Sequence, residues 1–415
     1  MSDVALTAAL APRPLTIRAE TLRRISLWLM VFSGSFVMIE PSPYEVMALL
    51  AFAVWLVGGL RFPRELIVVT LLLFVYMTGS LITLVPVLSL EKTLMWTLVG
   101  WFLAFTGLFY AMALTQQTQP RLETIVSAYV ATGVVCSLIG ILAYFRIMPG
   151  ADAFLRYDRL KSTFEDPNVV SAFLVLPAVV LLQRLYLDGV RGLLRHGIPF
   201  LIITMAIFLS FSRGGWGALA AAALMMTVMT FVCARSTRLR TRIILMCAAG
   251  TVLIALAVML LLSTSSVGAL FEQRFSLEQS YDTGRFGRFG RHWLGFELAL
   301  DKPIGIGMLQ FYKHFGEDPH NTFLNAFMSY GWIGGIAWPA LAVATLVAGY
   351  RTCFVATPWR PLFICFMATY TIHIIEAWII DIDHWRHHWL LFGVVWGLAI
   401  ASARWRRQQA QAISH

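Results

Sequence analysis

Charge is what this sequence lacks most. Asp, Glu, Lys and Arg supply only 13% of its 415 residues, where a soluble domain carries roughly 25%. With 59% apolar residues and a mean hydropathy of +0.73, that shortage excludes an ordinary water-facing surface. Chain length would otherwise suggest two or three soluble domains. Apolar stretches of about 17–21 residues recur instead, each long enough to cross a hydrocarbon core. Cysteine is scarce as well. Cys136, Cys247 and Cys365 fall inside apolar stretches, and Cys233 and Cys353 beside basic connections. None sits in the two long loops, which excludes a disulfide framework and zinc-ligand spacing. The N-terminal segment carries Arg13, Arg18, Arg23 and Arg24 without a small-residue cleavage site after it, so residues 25–39 read as an uncleaved first span. No internal repeat points to an inverted-repeat transporter.

What is present is an expected all-α, polytopic membrane protein of about 12 transmembrane helices. The spans are expected at 25–39, 44–60, 65–85, 94–114, 125–145, 169–187, 197–211, 215–233, 243–263, 322–349, 361–380 and 387–403. That layout leaves a tail at 1–24 and nine spans over 25–263 with a loop at 146–168. A long loop at 264–321 lies between spans 9 and 10, three spans occupy 322–403, and a tail closes the chain at 404–415. Most of the 32 basic residues and few of the 22 acidic ones fall on one side of this layout. They include the N-terminal tail, Arg61/Arg64, Arg121, the cluster from Arg235 to Arg242 and the Arg404–Arg407 tail. Short-loop positive charge faces the cytoplasm, which puts both termini inside and both long loops outside. The net charge of +10 is thus a topology signal and does not suggest nucleic acid. Within the second loop, 289–300 has the pattern of an amphipathic helix at the membrane surface.

Ionisable residues at the membrane edge are the candidates for chemistry. Arg213 interrupts apolar sequence in LSFSRGGWGAL. It can snorkel or cap a helix, but Gly214 and Gly215 beside it free backbone N–H groups for an anion. His320 stands in DPHNTF where the long loop re-enters the membrane, with Pro319 holding the approach extended and Asn321 or Asp318 able to cap the next helix. An imidazole there accepts a proton near neutral pH; alone it would read as a surface histidine. Its company is cationic: Arg285, Arg288 and Arg291 at steps of three, and Arg156, Arg159 and Lys161 in the first loop. Singly, each fits a solvated loop. Together, forked guanidinium donors suit diphosphate oxygens. A base beside them can deprotonate a sugar hydroxyl, which describes glycosyl transfer from a polyprenyl-diphosphate donor without a nucleotide, metal or other cofactor. A competing cluster, DIDHWRHH with Asp381, Asp383, His384, His387 and His388, offers divalent-metal donors without a zinc signature, or an interfacial loop anchored by Trp385.

In this order the segments resemble the bacterial O-antigen ligase/polymerase superfamily. The resemblance rests on Arg159 preceding Phe164 and Pro167-Asn168, and on Ser212-Arg213-Gly214. It continues with Gly287-Arg288, Trp293, Ala299, Pro303-Ile304-Gly305-Ile306-Gly307 and Phe311, then His320-Asn321 with Gly331 and Gly334. It runs from about residue 155 to 340, and span count and loop position extend it to nearly the whole chain. The resemblance implies a metal-independent inverting transferase at the periplasmic face of the bacterial inner membrane. The donor would be an undecaprenyl-diphosphate-linked glycan and the acceptor lipid A–core or another lipid-linked glycan. It implies His320 as base and Arg213 and Arg288 on the diphosphate. Arg159, Lys161, Arg285, Arg291 and Asn321 would be substrate-binding. Arg288 stands one residue further from Trp293 than the family spacing, which leaves open whether Arg285, Arg288 or Arg291 holds that role. The compact length and the His-Asn segment lean to a ligase over an O-antigen or exopolysaccharide polymerase. A polysaccharide or lipid transporter is the alternative from another class, and would need charges near the bilayer midplane.

Overall fold

The computed structural model describes residues 13–87, 91–262 and 287–413. Arg285 lies outside the described residues, as does most of the first half of the long loop. The helices are α1 (Arg13–Ser33), α2 (Pro43–Val57), α3 (Ile67–Leu84), α4 (Glu91–Ala113), α5 (Thr118–Tyr144), α6 (Pro167–Asp188) and α7 (Ile198–Leu209). They continue as α8 (Arg213–Cys233), α9 (Thr237–Leu262), α10 (Arg288–Asp301), α11 (Phe311–Phe315), α12 (Thr322–Cys353), α13 (Arg360–Glu376) and α14 (Arg386–Ile413). Among the described residues the only strands are β1 (Leu155–Arg156) and β2 (Arg159–Leu160), a two-stranded antiparallel hairpin in the first long loop.

Six helical stretches among the described residues are long and apolar enough to cross a membrane: Arg64–Val87, Glu91–Ala113, Thr118–Tyr144, Pro167–Leu209, Arg213–Cys233 and Thr322–Cys353. The chain is therefore a multi-pass helical membrane protein; the figure of twelve crossings stays an expectation. One stretch, Pro167–Leu209, contains both spans expected at 169–187 and 197–211. Its break begins at Gly189, whose φ of +63° ends α6, and short helical turns lead on to α7. The first helix differs from expectation. It begins within the tail expected at 1–24 and stops at Ser33 rather than 39. Glu20 anchors that extension by accepting Arg121 of α5 at 2.7 Å.

α12 runs along α3, α14 along α4, and α6, α8 and α13 pack against one another. Tyr76 and Tyr330 stack at 4.2 Å, and the Thr83 hydroxyl donates to the Ser329 carbonyl at 2.6 Å. The Pro303–Gly307 segment keys into this junction. Gly331 leaves the helical conformation inside α12 (φ +64°, ψ −173°). The carbonyl of Met328 then accepts from the Ile306 and Gly307 amides, and the Trp332 amide donates to Pro303. A Cβ on Gly331 would lie 2.5 Å from the Ile304 carbonyl oxygen, and one on Gly305 (φ +90°) 2.7 Å from that of Met328. These positions need both the positive φ and the missing side chain.

The two ends of the bundle differ chemically. One end holds ion pairs of the basic connections, Arg121–Glu20, Arg184–Glu123 and Arg404–Glu65. The other gathers the first loop, the turn between α7 and α8, α10, and the starts of α12 and α14. The expected amphipathic helix is α10. It buries Arg291, Gly295 and Ala299 toward α12 and exposes Phe289, Trp293, Phe296 and Leu300.

Candidate active site

Three arginines meet at the second end because three elements begin or turn there. In the hairpin, Tyr157 and Asp158 both take φ of +53°, as a two-residue primed turn requires, and this sets Arg159 opposite Arg156. Arg159 donates through Nε to the Ser210 carbonyl (2.8 Å) and through Nη2 to Asn168 Oδ1 (2.9 Å). Asn168 stands in the first turn of α6, where Asp166 caps the helix by accepting from its amide and Pro167 supplies a fixed φ. Ser212 caps α8 in the same way, its hydroxyl accepting from the Gly215 amide at 3.1 Å, so Arg213 is the first residue of that helix. Arg288 is the first residue of α10.

Arg159, Asn168, Ser212, Arg213, Gly214 and Arg288 line one cavity of about 240 Å³. Three helix N-termini (α6, α8 and α10) contribute to its wall, and each adds partial positive charge to that of the guanidinium groups. The arrangement can take an anion with several oxygens. Glu376, at the end of α13, is a carboxylate in the same wall, and its Oε2 is buried with no hydrogen-bond partner among the described residues.

His320 sits immediately before α12, in the left-handed region at φ +50°. For a non-glycine residue this is a costly conformation that surrounding structure must hold. Asn321 holds it from one side, its Oδ1 accepting from the Leu324 amide at 3.0 Å as the cap of α12. From the other side, His292 of α10 donates to the Pro319 carbonyl at 2.8 Å, and Arg291 pairs with Glu317 at 2.6 Å. His320 Nδ1 lies 3.9 Å from Asp381 Oδ2. Burial pushes the His320 imidazole below its usual value; the positive charges of Arg288 and Arg291 add to that, and Asp318 and Glu317 oppose it. Burial, with the charges of Asp383 and Asp318, raises the Asp381 carboxyl, while the backbone amides of Asn321 and His320 hold it down in part.

A second cavity, of about 290 Å³, opens beside it; its wall includes Asp318, Pro319, Asp381, Asp383, His384 and His387. Trp385 lines both cavities. His320 lines neither, but its nearest carboxylate, Asp381, belongs to the second and its strongest cationic influence, Arg288, to the first.

The structure thus brings together four of the expected residues, Arg159, Arg213, Arg288 and His320, and gives others different tasks. Arg291 is buried against Glu317 and ties α10 down. The Asn321 side chain caps a helix, and half-buried Lys161 lines neither cavity. The DIDHWRHH segment lines the adjoining cavity, and its Trp385 also reaches the arginine cavity. Asp383 accepts from Tyr330 and pairs with His384 at 3.2 Å, and these contacts outweigh burial and lower its carboxyl. His387 and His388 pack among aromatic rings and His373. Among the described residues no group of three or more His, Cys, Asp or Glu side chains is placed to hold a metal ion. Two members of the site escaped sequence reasoning. In sequence Asp381 reads as one of the metal donors of DIDHWRHH, although a carboxylate in an outer connection is an available partner for a base. Glu376 had been passed over, although a lone acid inside an apolar span is a functional signal in itself.

No curated protein matches this chain. Residues 198–338 match the family model described as O-antigen ligase. That interval holds Arg213, Arg288 and His320 but neither the hairpin nor Asp381. Family likeness of this kind implies glycosyl transfer of ligase or polymerase type on lipid-linked glycans. Over that interval, which holds three of the residues at the site, the chain is similar to the O-antigen ligase superfamily.

Proposed function

We propose that this chain transfers a glycan from an undecaprenyl-diphosphate carrier to a sugar hydroxyl, with lipid A–core as acceptor, at the periplasmic face of the inner membrane. The observation that carries this reading is the convergence of Arg159, Arg213 and Arg288 on one cavity, with His320 under the influence of Arg288 and 3.9 Å from Asp381. The arginines would bind the diphosphate. Asp381, 3.9 Å from Nδ1, would close to hydrogen-bond distance when substrate binds and hold the imidazole with Nε2 free to accept a proton. The acceptor hydroxyl gives its proton to His320 as its oxygen bonds to the anomeric carbon. The bond from that carbon to the diphosphate breaks, and its electron pair leaves with the diphosphate. Negative charge grows on the departing oxygens, where pre-aimed donors stabilise it most. Base assistance of this type contributes roughly 10²–10⁴-fold. Inversion and metal independence are parts of the same proposal. A transporter would place its charges along a path through the bundle; here they gather at one end, which favours transfer.

Deleting the gene and profiling lipopolysaccharide and carrier-linked glycan tests this. Loss of glycan from lipid A–core with long polymer retained on the carrier is the expected result. Core bearing a single repeat, or unaltered lipopolysaccharide with loss of a secreted polysaccharide, would establish polymerase activity instead.

A further inference from the structure

The cavity beside the arginine site has the opposite electrostatic character. Six carboxylates (Glu40, Glu165, Asp166, Asp318, Asp381 and Asp383) face two arginines in its wall. Both arginines are already engaged. Arg386 pairs with Glu40 at 3.0 Å and Glu45 at 2.7 Å, and Arg156 with Asp166 at 3.4 Å. Among the described residues, Glu165 and Asp383 remain in the wall without an arginine partner, so an anionic ligand would meet like charge with both arginines already paired.

Independent observations favour a polar, uncharged partner. His387 is 4% exposed and lines the cavity, yet its Nε2 has no hydrogen-bond partner among the described residues. The same holds for Oδ1 of Asp381. Neutral imidazole nitrogens and carboxyl oxygens are natural partners for hydroxyl groups, which donate and accept together. Trp96 stacks on His384 at 4.4 Å and is 37% exposed, so an aromatic face is available in the same wall. At about 290 Å³ the space sits at the small end of ordinary ligand pockets, roughly 300–1,000 Å³.

We infer that this cavity is the acceptor subsite, and that it takes an uncharged or amino-bearing saccharide end and rejects phosphorylated and uronate sugars. The inference rests on the transferase reading above. It divides the labour of the site: an arginine cavity for the diphosphate, a carboxylate cavity for the hydroxyl donor, and His320 linked to the second through Asp381 and to the first through the charge of Arg288.

The test uses the full chain in lipid nanodiscs with a polyprenyl-diphosphate-linked glycan and two matched glycolipid acceptors. One ends in a hexose, and the other in the same hexose phosphorylated away from the attacking hydroxyl. A preference of at least about tenfold in kcat/KM for the uncharged acceptor is expected. The Glu165→Gln, Asp318→Asn double variant should narrow it at least about threefold by raising transfer to the phosphorylated acceptor, with donor KM unchanged. Equal or better use of the phosphorylated acceptor would overturn the inference, as would a preference that the double variant leaves intact. Ligand-observed NMR with the two saccharides and no donor separates the two levels. Selective binding of the uncharged sugar without any transfer would keep the subsite and sink the transferase reading; transfer to both acceptors at equal rates would do the reverse.

Discussion

His320 combines three features: a left-handed backbone, a carboxylate 3.9 Å from Nδ1, and the charge of Arg288 near enough to bear on its imidazole. Replacing it with Ala is expected to lower kcat by at least about 10²-fold with little change in donor binding. Wild-type turnover in the purified variant would remove it from the mechanism. Its titration gives a second check. The neutral imidazole is the active form, so the rate falls as pH drops through its pKa. Burial and the charges of Arg288 and Arg291 hold that pKa below the ordinary value, against the opposing charges of Asp318 and Glu317. The acid limb of kcat/KM should therefore lie below about 6.5. Asp318→Asn removes a charge that favours the imidazolium, so the limb should move further down. A limb that moves upward in that variant would contradict the assignment.

At the scale of elements, the site depends on how helices start. Asn321 illustrates the difference between binding and positioning. As the α12 cap it should tolerate Asp, whose side chain also accepts from the N3 amide, while Ala should cost about 0.5–2 kcal/mol and disturb the His320 backbone. A donor or acceptor contact by the amide group would reverse this order, with Asp as damaging as Ala in steady-state assays. Gly331 makes the other element-level prediction. Ala there would need φ near +64° and a Cβ 2.5 Å from Ile304 O. A loss of roughly 1–3 kcal/mol from backbone strain alone is expected, read as a lower thermal transition in detergent. An unchanged transition would mean that the Pro303–Gly307 key is not needed for the fold.

For the whole molecule, the separation of the two ends predicts orientation. In a cysteine-free background, a Cys at Lys302 should react with an impermeant maleimide added to the outer face of the membrane, and one at Arg238 only after permeabilisation. The opposite pattern would place both cavities in the cytoplasm and end the proposal of a periplasmic reaction.

Composition and periodicity determined a good deal. Sparse charge and long apolar runs specify helices that satisfy their own backbone in lipid, and the amphipathic pattern of 289–300 became α10 with little shift. Local chemistry was legible for the same reason: of the two caps expected for the re-entering helix, Asn321 or Asp318, Asn321 is the one used, because capping acts within one turn. Arg213 was identifiable by itself, since an expensive residue inside apolar sequence needs a cause; Arg159, Arg288 and His320 became candidates only in company and through the order of the segments. The geometry of their meeting was not legible, because it depends on contacts between residues far apart in the chain. Only the packing of α6, α8, α10 and α12 at one end of the bundle decided which arginines share a cavity and which, like Arg291, is used up in an ion pair. Only packing brought Asp381 to His320, and Glu376 from the end of α13 into the arginine wall. A side chain's burial and charge follow from its own sequence neighbourhood only over about a turn of helix; beyond that distance the partner is chosen by the fold.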